Sequence, residues 1–465
     1  LLYKDIRKSI TDIKQRRKEV AAAAGQGKLL RLKFREVTIM DLVILVGSFF
    51  VMLFAGFPIA FALLLSALLY MVMFSSGVPL IIIAQQLLKG VDSFTLLAIP
   101  FFVIAGCLMQ SGGISRRIVD FAKKLVGWMP GGLAVVDIIA SMIFAAMTGA
   151  GAATTAAVGG IMIPSMEEEG YDGGFASAIQ AMGGIFGPII PPSTLMVLFA
   201  VASGESVADM FLGGLLPGLF LGLLLIIVVV FMCIRKGYKG SGSFHLMEAV
   251  KSFGSAIWAL LAPVIILGGI YSGAFTPTEA SAACCFYCLI VGLFIYREMK
   301  IKDLFKIVYA GVKSAAGIMF IVAATQVFGW VITRAGIPQS IAKMFTQNVS
   351  SPTVFMFAVC LILLVAGCFI DAVPALLIFA PIFVPTAQAY NINLVYFGVI
   401  MVVTLCIGLA TPPVGINLYV ASSVGGQPVH KIIPHLPIPL ITIAVGTVML
   451  IMIPAITTFL PMMAK

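Results

Sequence analysis

Charge is what this chain has least of. Asp, Glu, Lys and Arg make up only 10% of 465 residues, hydrophobic residues make up 61%, and the mean hydropathy is +1.13. A water-soluble globule of this length is excluded, because it could not cover itself with polar surface. Histidine is scarce as well: His245, His430 and His435 all lie beside connecting or terminal segments, which excludes a histidine proton relay at membrane depth. Period-two alternation is missing, and with it the signature of a transmembrane β-barrel. Of eight cysteines, Cys284, Cys285 and Cys288 fall inside the apolar run ASAACCFYCLIVGLF without a second pair at zinc spacing, so they read as small hydrophobes of a span and no transition metal is expected. A phosphate loop is also excluded in AAAAGQGK: no glycine stands five residues before Gly27-Lys28, and Leu29 replaces the required Ser or Thr.

What is present is a series of apolar runs, beginning near residue 43 and recurring to residue 460. Hydrocarbon about 30 Å thick takes about 20 helical residues, which predicts about ten to twelve helical spans here plus several partial ones. The overall charge of +10 reads as a topology signal. Arg116-Arg117, Lys123-Lys124, Arg235-Lys236-Lys239 and Arg297-Lys300-Lys302-Lys306 are candidates for the cytoplasmic side under the positive-inside rule. Residues 1–37 form a basic stretch with apolar residues at helical spacing, an interfacial arm or linker; the chain starts without Met and is expected to be part of a longer polypeptide.

A motif is written twice. GPIIPPSTLMVLFAVASG begins at Gly187 and GLATPPVGINLYVASSVGG at Gly408, and Pro191/Pro412, Pro164/Pro385 and Gly187/Gly408 all share a separation of 221 positions (412 − 191). The register predicts duplicated halves: residues 38–235 as a first repeat, 236–256 as a connecting segment and 257–465 as a second repeat.

The chemistry is expected where helices break. AAMTGAGAATTAAVGGIMIP, with Thr148, Thr154 and Thr155 among four glycines, suits a re-entrant hairpin, and backbone can leave the helix at that depth only if it lines a cavity. The matching segment AGCFIDAVPALLIFAPIFVP places Asp371 at the register of Ala150. A carboxylate at bilayer depth costs a few kcal/mol. Asp371 therefore reads as a monovalent-cation ligand, or as a protonated acid bonded to a helix end. The consecutive prolines at 191–192 and 412–413 remove donors and free carbonyls one turn back, at Gly187, Pro188 and Ile190 and at Gly408, Leu409 and Thr411. Downstream, Ser193, Thr194 and Asn417 supply donors at helix N-termini, where the helix dipole favours an anion. Thr154 and Thr155 join them as candidate substrate contacts.

Through LLAIPFFVIAGCLMQSGGISRRI, TGAGAA, IPSMEEEGYD, GPIIPPS, GGIYSGAFTPTEA, GCFIDAVPA and TPPVGINLYV, the chain resembles the large membrane subunit of tripartite ATP-independent periplasmic (TRAP) transporters from residue 38 to its end. The resemblance implies an all-α polytopic membrane protein: an inverted-repeat elevator transporter of the ion-transporter superfamily, with two re-entrant helical hairpins, and not an enzyme. It implies Na+-coupled symport of an organic acid anion, such as a C4-dicarboxylate or a sialic acid, into the cytoplasm across a bacterial or archaeal inner membrane. The partners it implies are a periplasmic substrate-binding protein and a small four-helix membrane subunit, sometimes fused upstream. By position, one Na+ site would use Thr148 and the backbone of Ala150, Gly187, Ile190 and Pro192, and the other Gly367, Asp371, Gly408 and Thr411. The chain departs from the family at Thr148-Gly149-Ala150, where a Ser-Gly-Ser-like tip is usual, so one side-chain ligand is lost. Two other classes fit the residues less well. A binding-protein-independent Na+/dicarboxylate carrier of the related superfamily fits the GAFTPTEA and IPSMEEEGYD strings poorly, and an intramembrane enzyme would need a nucleophile and base at membrane depth.

Overall fold

A computed structural model describes residues 39–74, 78–240, 245–349 and 351–464. The basic stretch 1–37 lies outside the described residues, which are almost wholly helical and contain no strand. In chain order the helices are α1 (Ile39–Phe54), α2 (Ile59–Phe74), α3 (Ile81–Val91), α4 (Ala98–Ser111), α5 (Ile114–Val126), α6 (Gly132–Thr148), α7 (Gly151–Glu168), α8 (Gly173–Gly184), α9 (Thr194–Ser203), α10 (Val207–Lys236) and α11 (Leu246–Tyr271). They continue as α12 (Pro277–Ile290), α13 (Ile301–Arg334), α14 (Ile337–Asn348), α15 (Pro352–Phe369), α16 (Ala372–Ala389), α17 (Leu394–Gly408), α18 (Ile416–Gly425), α19 (Val429–Ile432), α20 (Pro437–Met452) and α21 (Ala455–Met463).

Six of these helices are long and apolar enough to cross a membrane, or eight if each bent pair counts as one span, by length and composition. That is fewer than the ten to twelve expected. Part of the shortfall is apolar helices a little too short to count, such as α2 and α6, and part is mid-run breaks: α8 and α9, like α17 and α18, are two short pieces in place of one crossing. The stretch 236–256 is likewise less of a connector than expected, since α11 begins at Leu246.

The repeat is visible in the helices themselves. Helix α7 starts at Gly151 and ends at Glu168, and 221 residues later α16 starts at Ala372 and ends at Ala389. Asp172 caps α8 and Asn393, at the same offset, caps α17, each accepting from a backbone N–H three residues on. Such a cap satisfies one of the orphan donors at a helix start.

Helix α10 shows that the two halves are inverted. With 30 residues it is about 45 Å long. Near its start, a Cβ on Gly213 would meet Val395 at 2.7 Å, beside the outer end of the α15–α16 hairpin; near its end Cys233 lies 2.4 Å from a Cβ on Gly131, at the outer end of the α6–α7 hairpin. The hairpins therefore enter from opposite ends. Gly218 and Gly222 between them leave room for Ile190 and Met142, so small residues let the helices approach closely where no hydrophobic effect drives association in lipid.

Helix α13 packs along α2, α3, α4 and α16, while α9 packs on α16 and α18 on α7. Each broken helix thus leans on the hairpin of the other half. The predicted basic clusters share one end of the molecule, where Arg117 pairs with Glu298 at 2.6 Å, Lys124 with Glu248 at 2.5 Å, and Gly131 N–H donates to Tyr238 at 3.2 Å. Cys285 donates to the Phe101 carbonyl, and Cys284 and Cys288 are buried against the same packing layer.

Candidate functional site

The first hairpin turns at Gly149, whose φ of +61° suits glycine, and Ala150 then enters α7 from an extended conformation. Thr148 and Thr154 are hydrogen-bonded across the turn at 3.0 Å, with Thr148 also reaching the Phe144 carbonyl and Thr154 the Ala150 carbonyl. Opposite this tip stands the first Pro-Pro segment. A Cβ on Gly187 would lie 2.6 Å from the carbonyl of Ala150, and one on Gly149 would lie 2.6 Å from the Pro192 carbonyl oxygen. Thr194 Oγ1 donates to the Gly149 carbonyl at 2.9 Å, and Ser193 Oγ donates to Pro188 at 2.5 Å while accepting from Met196 N–H. Of the residues expected at the first cation site, the structure brings Thr148, Ala150, Gly187 and Pro192 to one tip-to-break junction. Ile190, expected to contribute through its backbone, lies in the same Pro-Pro segment, and its side chain packs on Gly218 of α10.

The second half repeats the junction with different side chains. Asp371 caps α16, its Oδ1 accepting from Ala372 N–H at 2.7 Å, so the expected bond to a helix end is present. Gly408 is pressed against Gly367, where a Cβ would sit 2.5 Å from the Gly367 carbonyl carbon, and Val414 N–H donates to the Cys368 carbonyl. Thr411 spends its hydroxyl on Ile407, one turn back. Gly367, Asp371, Gly408 and Thr411 thus flank a single junction. Asp371 is partly exposed, and among the described residues no cation pairs with it.

The two junctions meet at Asn417. A Cβ on Gly184 would fall within 1.9 Å of Thr155 Oγ1 and 2.9 Å of Asn417 Nδ2, and one on Gly151 would lie 3.0 Å from Asn417 Oδ1. The first residue of hairpin 1 after its tip, the end of α8 and the start of α18 therefore interlock. Among the expected substrate contacts, Thr154, Thr155, Ser193 and Thr194 all donate to carbonyls of their own half. Buried hydroxyls must be paired: Thr154 and Thr155 bond the carbonyl four residues back, Ser193 bonds that of Pro188, and Thr194 bridges to the tip at Gly149. Asn417 is different: it is fully buried and its Oδ1 has no hydrogen-bond partner among the described residues.

Reading the sequence missed one acid. Asp137 lies in α6, 0% exposed, and neither carboxylate oxygen has a partner among the described residues. The signal that singles out Asp371, an acid inside an apolar run, is equally present in GGLAVVDIIASMIF.

The sequence matches, over residues 46–463, the family described as "Tripartite ATP-independent periplasmic transporter, DctM component". The chain belongs to this family. It is 43% identical over 383 residues to the C4-dicarboxylate TRAP transporter large permease protein DctM of Pseudomonas aeruginosa, covering 82% of this chain and 89% of that protein. It is 38% identical over 420 residues to the sialic acid TRAP transporter large permease protein SiaM of Vibrio cholerae, covering 90% and 98%. The fold is shared with the Alcanivorax borkumensis YdaH transporter at a TM-score of 0.57 and 13% identity, over 79% of this chain and 88% of that one. This TRAP large permease is accordingly a multi-pass, all-helical membrane protein built around two helical hairpins.

Proposed function

We propose that this permease is a secondary active transporter that couples Na+ entry to uptake of an organic acid anion into the cytoplasm. The observation that carries the reading is the pairing of each hairpin tip with a Pro-Pro break, Ala150 against Gly187 and Gly367 against Gly408, with the only tip carboxylate at Asp371. Hard cations take oxygen ligands, and interrupted helices at mid-membrane offer backbone carbonyls as well as side chains. Na+ at the two junctions would order both tips before the anion is held between them. Each net positive charge moved down about 100 mV contributes about 2.3 kcal/mol, so Na+ in excess of the anion's own charge adds that electrical gain to the Na+ gradient and concentrates substrate without ATP.

The relatives support an anionic acid as substrate, since they are named for C4-dicarboxylate, sialic acid and 2,3-diketo-L-gulonate. An elevator movement of α6–α9 and α15–α18 against α1–α4 and α11–α13 accords with the two packing groups. A periplasmic binding protein and a small membrane subunit complete the system in a bacterial inner membrane. Fusion to the small subunit has a precedent in form: the isethionate TRAP transporter permease protein DctMQ of Oleidesulfovibrio alaskensis is matched over only 65% of its length.

The test is uptake of labelled acids into proteoliposomes containing both membrane subunits, with and without a Na+ gradient and with and without the binding protein. Uptake that ignores the gradient overturns the coupling. Uptake that ignores the binding protein replaces this reading with that of an autonomous Na+/dicarboxylate carrier.

A further inference from the structure

Asp137 is a charge without a counterpart. It sits on α6 about 16 Å back from the Thr148 tip and about 7 Å in from the helix start, so it takes no part in either junction described above. Burying a carboxylate in a low-dielectric interior costs several kcal/mol unless something positive or a set of donors meets it. No protein donor reaches either oxygen.

Its surroundings are polar in one sense only. One turn along the same face stands Ser141, fully buried, whose Oγ accepts from Gln180 Nε2 of α8 at 3.3 Å. That bond fixes which end of the Gln180 amide is spent. The other end, Oε1, is an acceptor with no partner, on a side chain that is 0% exposed. Gln180 is held from behind as well, because α7 places Gly159 where a Cβ would lie 2.8 Å from Gln180 Cγ. Three bare acceptor oxygens thus belong to neighbours of Ser141: two to Asp137, one turn away along α6, and one to Gln180, which is bonded to it from α8. All three are acceptors, which call for a donor proton or a cation.

We propose that Asp137, Gln180 and Ser141 form a third monovalent-cation site, taking Na+, inside the arm of hairpin 1 and separate from both tips. Carboxylate, amide and hydroxyl oxygens are the ligands that Na+ takes, and the experiment below tells it from a proton on Asp137. A cation there ties α6 to α8 and neutralises the hairpin before it crosses the hydrocarbon. The inference rests on the Na+-coupled reading above.

The experiment is binding of radioactive sodium by the purified permease complex: wild type, Asp137→Asn, Gln180→Met and, as a marker for the tips, Asp371→Asn. Asp137→Asn is expected to lose one bound equivalent while the remaining sites keep their affinity, and Gln180→Met to weaken that same equivalent about tenfold. The two variants remove different oxygens, so misfolding of one leaves the other decisive, and thermal melting identifies it. Equal Na+ binding by wild type and Asp137→Asn overturns the proposal, as does unchanged Na+ binding with a loss of proton uptake, which would make the occupant a proton. If wild type binds no Na+ and Asp371→Asn also changes nothing, the coupled reading itself has failed; if only Asp371→Asn loses Na+, the tips stand and the third site falls.

Discussion

Hairpin 1 and hairpin 2 share a backbone and differ in where they put their acid. Ala150 and Asp371 occupy the same register, each as the residue that starts the second arm, yet one carries no side-chain oxygen and the other a carboxylate. Thirteen residues before the first tip lies Asp137, whose counterpart in the second half is Ala358. Apart from Glu167 and Glu168 at the outer end of hairpin 1, each hairpin therefore holds one carboxylate, at positions the duplication does not relate. Solvation follows the same division. The segment from Gly187 to Thr194 is buried throughout, whereas Pro413 and Val414 are exposed and Asp371 is partly so. A carboxylate at an open junction keeps some hydration and a helix-start N–H, which lowers the cost of holding it there. A sealed junction tolerates only paired hydroxyls, and hairpin 1 has Thr148 and Thr154 bonded to each other.

The largest expected effect comes from breaking the interlock that both hairpins share. Gly184→Val would drive a side chain into Thr155 and Asn417, and uptake should be lost with a clear drop in melting temperature in detergent; overpacking a tight interior costs about 1–3 kcal/mol or more. Normal melting and transport in that variant would show that the junctions are looser than their contacts suggest. Next is Asp371→Asn, which keeps the helix cap but removes the charge. Half-saturation by Na+ should rise about tenfold or more, as for loss of a charge-assisted contact, and unchanged Na+ dependence would remove Asp371 from the cation site.

A gain is expected from making the halves more alike. Ala150→Ser returns a side-chain oxygen to the first tip and should lower the Na+ requirement severalfold, on the scale of about 1 kcal/mol per added hydrogen-bonding group; a higher requirement would mean that the sealed tip has no room for it. Smallest is Thr154→Val, which deletes the bond to Thr148 and should cost about 1 kcal/mol in stability with Na+ dependence retained. If this variant shifts Na+ affinity as strongly as Asp371→Asn, the threonine pair is a ligand and the asymmetry between the tips disappears.

Much of the fold is legible in the residues. The doubled Pro-Pro motif and its fixed offset predict two halves, and the glycine-rich tips predict hairpins at Gly149 and near Asp371, where the structure has them. Span number is less legible. A run such as residues 173–203 is apolar without pause, and nothing in its hydropathy marks the break between α8 and α9 as strongly as the two prolines do. Part of the expected connecting segment 236–256 is helical, with Glu248 and Lys251 on the exposed first turns of α11.

The candidate site divides in the same way. Asp371 announces itself because an acid in an apolar segment near a Pro-Pro repeat has few other uses. Asp137 carries half of that signal but no repeat partner, and only packing shows that no donor reaches it. Ser193 and Thr194 are the reverse case: helix-start hydroxyls suggest an anion, and tertiary contacts show them already bonded to Pro188 and Gly149.

Composition, period and register by themselves determined a helical bilayer protein with two duplicated halves and paired breaks, because hydrophobic spans and backbone satisfaction in lipid leave few alternatives. Which oxygens remain bare was decided only by the tertiary structure. A polar atom's partner comes from whichever helix packs against it, and that neighbour lies tens to hundreds of residues away in the chain.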